Sequence, residues 1–171
     1  MRGSLVLALV VAAVVPGILR AQKVSIEADE TTDFSKFKTF AILEGRLMAR
    51  SPALNSDLMK KRLETGIRKR LVERGLTESR GAADLNVFFT FASRPKAAVD
   101  AVPAGPRGLA TRRVTTERFE GTLTVDLRNA SSRELVFRTM AVEERDSPAK
   151  LAERADEMVK KALEKYPPKK K

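Results

Sequence analysis

An alternation of apolar and polar residues between Arg118 and Val142 constrains the fold of this chain most strongly. In its first half every second residue is apolar, as in a strand with one buried face. These residues are Phe119, Gly121, Leu123, Val125 and Leu127. Residues 129–132 (NASS) are typical of a turn, because Asn and Ser side chains bond to their own backbone. Residues 134–142 return as the partner strand, so the pattern predicts a β-hairpin.

Three further segments have strand patterns: 24–28, 39–43 and 84–92. Between them, residues 45–52 are predicted to form a loop. In segment 84–92, Phe88 lies on the face opposite the main apolar row. An apolar residue on each face indicates a central strand that is covered on both sides.

Two segments have helical patterns. The first begins at Asn55 or Ser56, which are favoured N-cap residues, and ends at Gly75, which suits a left-handed C-cap. Its buried row has an apolar residue at every fourth position: Met59, Leu63, Ile67 and Leu71. The second helix begins at Ser147 and ends before Pro167.

The predicted element order is β-β-α-β-β-β-α. It indicates an α/β chain of the α+β type, with a mixed or antiparallel sheet of about five strands packed with two helices. Residues 22–168 are expected to form a single globular domain, followed by a short basic tail at 169–171.

The N-terminus has the pattern of a secretory signal peptide over residues 1–21. Arg2 precedes an apolar run, and Pro16 interrupts that run before it reaches the roughly 20 residues needed to span a bilayer. Cleavage is predicted between Ala21 and Gln22, which would place the protein in the periplasm or outside the cell. The alternative is a membrane anchor formed by residues 5–19.

The chain contains no His, Cys or Trp. The absence of imidazole and thiol groups excludes His-ligated metals, zinc–thiolate sites, disulfides and the commonest nucleophile–base pairs. No metal site and no cofactor is therefore predicted.

Basic residues outnumber acidic ones, 33 to 22, which gives a formal net charge of +11. Removal of residues 1–21 would lower it to +9. The segment 94–117 has three prolines and several arginines, and is predicted to be a long basic loop. Arg107, Arg112 and Arg113 are its candidate residues for binding an anionic partner. The alternative is a solvated loop without a ligand, which the lack of aromatic stacking residues favours.

Enzymatic candidates are few. Glu120 and Asp126 share a strand face, but six residues of strand separate them by roughly 20 Å, too far for a glycosidase pair. Glu134 on the partner strand is a further candidate acid. The Ser56–Lys60 and Ser147–Lys150 pairs are candidate nucleophile–base pairs, but both serines are better explained as helix caps.

Several segments together resemble the bacterial envelope family named domain of unknown function 4136, many of whose members are lipoproteins. They are residues 33–40 (DFSKFKTF), 83–87 (ADLNV), 119–127 (FEGTLTVDL), 133–138 (RELVFR) and 165–168 (KYPP). Phe137 stands where family members commonly have Trp, and this chain lacks the cysteine to which a lipid is attached. The resemblance implies a location and a fold, but no established activity.

The sequence thus predicts an exported cell-envelope protein that acts as a non-enzymatic binding or scaffolding module. Its expected partner is an envelope protein or an anionic envelope polymer. An exported hydrolase that uses carboxylates is the alternative, and a polyanion or nucleic-acid binder is a weaker one. Nucleic acid is not the expected partner of an exported protein, and membrane contact is expected only if residues 5–19 are retained.

Overall fold

A computed structural model describes residues 23–168. The predicted signal peptide (1–21), its cleavage site between Ala21 and Gln22, and the basic tail (169–171) therefore lie outside the described residues. The described strands are β1 (Lys23–Ala28), β2 (Thr39–Ala49), β3 (Thr77–Glu78), β4 (Leu85–Ala104), β5 (Ala110–Asn129) and β6 (Leu135–Arg145). The described helices are α1 (Asp57–Glu73), α2 (Pro148–Glu153) and α3 (Ala155–Ala162).

These strands form one mixed sheet in the order β1-β6-β5-β4-β2-β3. The pairs β1–β6, β6–β5 and β5–β4 are antiparallel, whereas β2 pairs in parallel with both β4 and β3. The predicted α+β class with a mixed sheet is confirmed. The strand count is six within the described range, because the two-residue β3 adds an edge that no sequence pattern indicated.

The three helices cover one face of the sheet, and α1 packs against α3. The core lies between them and the sheet. It includes the predicted row on α1 (Met59, Leu63, Ile67, Leu71) and the apolar row of β5 (Leu123, Val125, Leu127), all of which are buried. The β5–β6 hairpin is confirmed, with its turn held by hydrogen bonds from the Ser131 and Ser132 amides to Asn129 Oδ1 at 2.9 and 3.3 Å.

Both ends of α1 follow from local sequence. The Ser56 side chain accepts a hydrogen bond from the Met59 amide, which is the N-cap arrangement. At the other end Gly75 has φ +87°, and the amides of Gly75 and Leu76 donate to the carbonyls of Val72 and Leu71. This is a Schellman motif, which uses Gly because a Cβ is unfavourable at positive φ.

The predicted loop at residues 45–52 is wrong over its first half, because β2 continues to Ala49 along β4. A bulge between Ile42 and Glu44 shifts the register and interrupts the alternation that would have indicated a strand. At Gly45, a Cβ would lie only 2.1 Å from Cζ of Phe89. Glycine is therefore needed for a close approach to the core and does not mark a loop here.

Two other expectations need correction. The predicted single C-terminal helix is divided into α2 and α3 at Arg154, although Leu151 and Ala155 on either side stay buried in the same core. The strand with Phe88 is central, as predicted, but none of the helices in residues 23–168 covers its second face, and Phe88 is only half-buried.

Candidate functional site

The β4–β5 hairpin extends beyond the rest of the sheet. Pairing of β4 with β2 ends at Ser93, and pairing of β5 with β6 ends at Phe119, whereas β4 and β5 continue to pair as far as Ala104 and Ala110. We call the extension, residues 94–118, the arm. Its 11 residues on the β4 side correspond to roughly 35 Å of strand.

The arm corrects the prediction of a long loop at residues 94–117. Only residues 105–109 form the connecting turn, and the remainder is paired strand. The prolines Pro95 and Pro103 suggested a loop, but each lies on the outer edge of a two-stranded ribbon. Proline is accepted at such positions, since the missing N–H would have pointed away from the neighbouring strand.

The three candidate arginines lie in the outer half of the arm. Arg107 is in the turn with φ +60°, between Gly105 and Gly108, which also have positive φ. Arg112 and Arg113 are consecutive on β5, opposite Val102 and Ala101, so their side chains project from opposite faces. The structure therefore brings the three to one end of the arm without gathering them in one pocket.

The charges of the arginines are exposed and uncompensated within the described part of the chain. All three side chains are exposed, and no described carboxylate forms an ion pair with any of them. By contrast, the cations at the base of the arm are paired: Arg94 and Lys96 both bind Glu120, at 2.7 and 3.3 Å, and Lys96 also binds Glu144. Within the arm, unpaired positive charge is thus confined to the outer half.

A buried arginine that the sequence did not single out holds the base of the arm. The Arg118 side chain is 7 % exposed, and its Nη2 donates to both oxygens of Asp100 at 2.6 Å. Thr116 Oγ1 also donates to Asp100, at 2.6 Å. These residues alternate along facing strands, so only the register of the ladder brings them together. Arg118 and Asp100 line, with others, a cavity of about 310 Å³ beside β6.

The candidate acids are not arranged for acid–base catalysis. Glu120 faces Glu144 near the end of β6, Asp126 faces Arg138 in its middle, and Glu134 precedes its start. The structure therefore does not bring the three together. The hydrogen bond from Arg94 holds the pKa of Glu120 below its usual range, whereas a general acid needs a raised pKa. Asp126 is bound by Arg138 at 2.6 Å.

The candidate Ser–Lys pairs have structural roles. The Ser56 hydroxyl caps α1, and the Ser147 hydroxyl accepts from the Lys150 amide at 3.3 Å and so caps α2. The Lys150 ammonium lies 3.4 Å from Asp146. Among residues 23–168 no group of three or more acidic side chains is placed to hold a metal ion. In the same range, no helix has both the length and the apolar character to cross a bilayer.

Four of the five segments that carry the family resemblance meet at the end of the sheet opposite the arm. Four aromatic rings from three of them, Phe34, Phe37, Phe137 and Tyr166, form edge-to-face contacts with centroid distances of 5.3 to 6.5 Å. Asp84, from a fourth segment, accepts hydrogen bonds at 2.8 Å from the amides of Lys38 and Thr39. The shared segments therefore build the fold.

The family model described as "Domain of unknown function (DUF4136)" matches residues 24–168. The chain belongs to this family. The resemblance seen in the sequence is thereby confirmed, and the match spans all the described strands and helices except the first residue of β1. A comparison with curated proteins finds no match.

Solved structures support the fold of this DUF4136 member. A DUF4136 family protein from Bacteroides thetaiotaomicron is 14 % identical, with a TM-score of 0.53 over 85 % of this chain and 96 % of that one. The PelC dodecamer from Paraburkholderia phytofirmans is 13 % identical, with a TM-score of 0.53 over 82 % and 96 %. A PDZ domain protein from Parabacteroides distasonis is 15 % identical, with a TM-score of 0.58 over 88 % of this chain.

This chain spans only 36 % of the length of that PDZ domain protein, but nearly the full length of the other two. At these identities the similarity establishes a shared fold. It does not transfer a ligand or a partner to the DUF4136 member described here.

Proposed function

We propose that this protein is a non-enzymatic binding or scaffolding module of the cell envelope, which uses the arm to bind an anionic polymer. The observation that carries the proposal is the group of uncompensated arginines, Arg107, Arg112 and Arg113, at the far end of a projecting ribbon. We call the rest of the domain, in which helices cover the sheet, the body. A projecting ribbon presents charge away from the body, so that an extended polyanion can contact it without entering a pocket.

Two other observations support a binding role. The acids that a hydrolase would need are separated along the sheet and occupied by cations, as described for Glu120 and Asp126. The shared fold also occurs in PelC, which forms a dodecamer, so this fold is compatible with a scaffolding role.

The direct test is titration of the protein with long-chain polyphosphate and, separately, with polygalacturonate, as phosphate and carboxylate probes. Combined replacement of Arg107→Ala, Arg112→Ala and Arg113→Ala should lower the affinity and reduce the salt slope of the binding constant by about 2 to 3. The matched control is Lys60→Ala, Lys61→Ala and Lys69→Ala on α1, which removes the same charge elsewhere.

If the control weakens binding as much as the arm variant does, net charge and not the arm determines binding, and the proposal fails. A higher affinity for one of the two probes indicates whether the partner carries phosphate or carboxylate groups.

Export is tested separately by fractionating cells that produce the full chain with a C-terminal tag. We expect the protein in the envelope or outside the cell, and a purely cytoplasmic pool would exclude an envelope role.

A further inference from the structure

The tip of the arm combines an exposed apolar residue with uncompensated positive charge. Leu109, the last residue of the connecting turn, is 88 % exposed, the highest value for any large hydrophobic side chain in residues 23–168. A single exposed leucine on the surface of a domain is common. This leucine, however, stands in the turn that ends a projecting ribbon, so a flat surface can reach it without touching the body.

The sequence around Leu109 has the character of a residue stretch that binds at a membrane surface. Residues 101–116 (AVPAGPRGLATRRVTT) contain three arginines and no acidic residue, and the other residues are small, apolar or threonine. The nearest carboxylates along the chain, Asp100 and Glu117, flank this stretch, and Asp100 is bound by Arg118. A segment that is both cationic and apolar is attracted to anionic headgroups and can also bury apolar area among them.

The spacing of the arginines matches the depth of a bilayer interface. Arg112 and Arg113 follow Leu109 by three and four residues, which corresponds to roughly 10–13 Å of strand. Apolar groups of peripheral membrane proteins enter about 5–10 Å into the boundary between headgroups and acyl chains. Long arginine side chains can therefore bind lipid phosphates while Leu109 lies deeper. Arg107, beside Leu109 in the turn, reaches the same level by extending its side chain back towards the headgroups.

We propose that the tip of the arm docks on an anionic lipid bilayer, with Leu109 inserted among the lipids and Arg107, Arg112 and Arg113 on their phosphate groups. The contact is peripheral, and described residues make it. It therefore differs from the anchor considered for residues 5–19 and does not require that segment to be retained. The inference shares its arginines with the proposed function but goes beyond it, because a soluble polymer offers no hydrocarbon layer to receive Leu109.

The decisive experiment places a fluorescent reporter at the tip. The chain contains no Trp, so Leu109→Trp introduces a single indole into the full chain. With vesicles of phosphatidylglycerol and phosphatidylcholine, the indole emission should shift to shorter wavelength and be quenched by lipids brominated on their acyl chains, because the indole enters an apolar region. Leu58→Trp is the matched control, since Leu58 is 78 % exposed but lies on α1, and its emission should not change. The readout is local, so it is valid whether or not residues 5–19 also contact the vesicle.

The same reporter tests the ionic part of the contact. On vesicles of phosphatidylcholine alone, the shift of Leu109→Trp should be lost. With Arg112→Ala and Arg113→Ala added to the reporter, half of the shift should require roughly 25-fold more anionic lipid, about fivefold for each cation removed. The absence of a shift for Leu109→Trp on anionic vesicles, an equal shift for Leu58→Trp, or an equal shift on phosphatidylcholine would overturn the proposal.

A second variant, Leu109→Ser, separates this proposal from the proposed function. It removes the apolar group and retains all three arginines, so its affinity for polyphosphate should equal that of the wild type. A loss of polyphosphate affinity in Leu109→Ser would show that the leucine serves the polymer, and would contradict a lipid role. If the wild type binds polyphosphate but the reporter stays in water, the proposed function stands and this proposal fails. Insertion of the reporter by a protein without affinity for polyphosphate would support this proposal and exclude the other.

Discussion

The inner and outer halves of the β4–β5 hairpin share one ladder but differ in what lies above them. In the inner half, the apolar residues of β4 (Leu85, Val87, Phe89, Phe91) are buried beneath the helices. In the arm the same alternation continues through Ala97 and Val99, yet Val99 is 66 % exposed. Backbone pairing is uninterrupted across the boundary, so pairing does not distinguish the two halves. The two halves differ because the helices cover only the inner half.

This difference indicates where the stability of the protein resides. A two-stranded ribbon on its own is marginally stable in water, because it buries little apolar surface against the entropy of ordering its backbone. The arm is anchored at its base by Arg118 and Asp100, and the body by a continuous core. We therefore expect substitutions in the body to change the free energy of unfolding much more than substitutions in the arm.

The largest expected contrast is between Phe137 and Val99. Phe137→Ala removes a fully buried ring that contacts Phe34 and Tyr166, and should lower the free energy of unfolding by about 3–5 kcal/mol. Val99→Ala should change it by less than about 0.5 kcal/mol. Urea unfolding monitored by circular dichroism measures both. A comparable loss for Val99→Ala would show that the arm belongs to the cooperative core.

An intermediate contrast concerns a carboxylate in each region. Asp84 accepts hydrogen bonds from the Lys38 and Thr39 amides, which lower its pKa, whereas Glu117 is exposed on the arm. Near neutral pH, Asp84→Asn should lower the free energy of unfolding by about 1–2 kcal/mol, while Glu117→Gln should leave it almost unchanged.

The pH dependence of this contrast has a definite sign. Because the pKa of Asp84 is lower in the folded than in the unfolded protein, its stabilising effect is present above the unfolded pKa of about 3.9 and is lost as the pH falls through the folded value. Unfolding free energies of wild type and Asp84→Asn should therefore converge as the pH is lowered from neutral to below the unfolded pKa of about 3.9. A constant difference over that range would contradict the assignment of the hydrogen bonds to the ionised carboxylate.

The smallest contrast is between two arginines at positive φ, Arg133 in the β5–β6 turn and Arg107 at the tip of the arm. Glycine adopts this conformation without the strain that a Cβ imposes, although it also increases the entropy of the unfolded chain. Arg133→Gly should therefore raise the free energy of unfolding by about 0.5–1 kcal/mol. Arg107→Gly should leave the free energy of unfolding unchanged if the arm unfolds before the body. Equal gains in denaturant titrations of the two variants would place arm and body in one unfolding unit.

The arm also explains why the candidate site could be predicted only in part. The composition of residues 94–117 correctly located a basic segment, and Arg107, Arg112 and Arg113 are indeed exposed there. Proline content suggested a loop, because the sequence does not reveal which edge of a ribbon a proline occupies. Arg118 and Asp100 carried no signal at all, since they meet only through the register of two long strands.

The sequence by itself determined the features that depend on neighbours within a few residues. These are the alternation that makes the β5–β6 hairpin, the Ser56 and Ser147 caps, the Gly75 stop and the buried row of α1. Tertiary structure alone decided how far β2 and β4 extend, where α2 gives way to α3, and which half of the long hairpin is covered by helices. The physical reason is range: capping and periodicity act through adjacent backbone groups, whereas burial and pairing depend on segments that only the folded chain brings together.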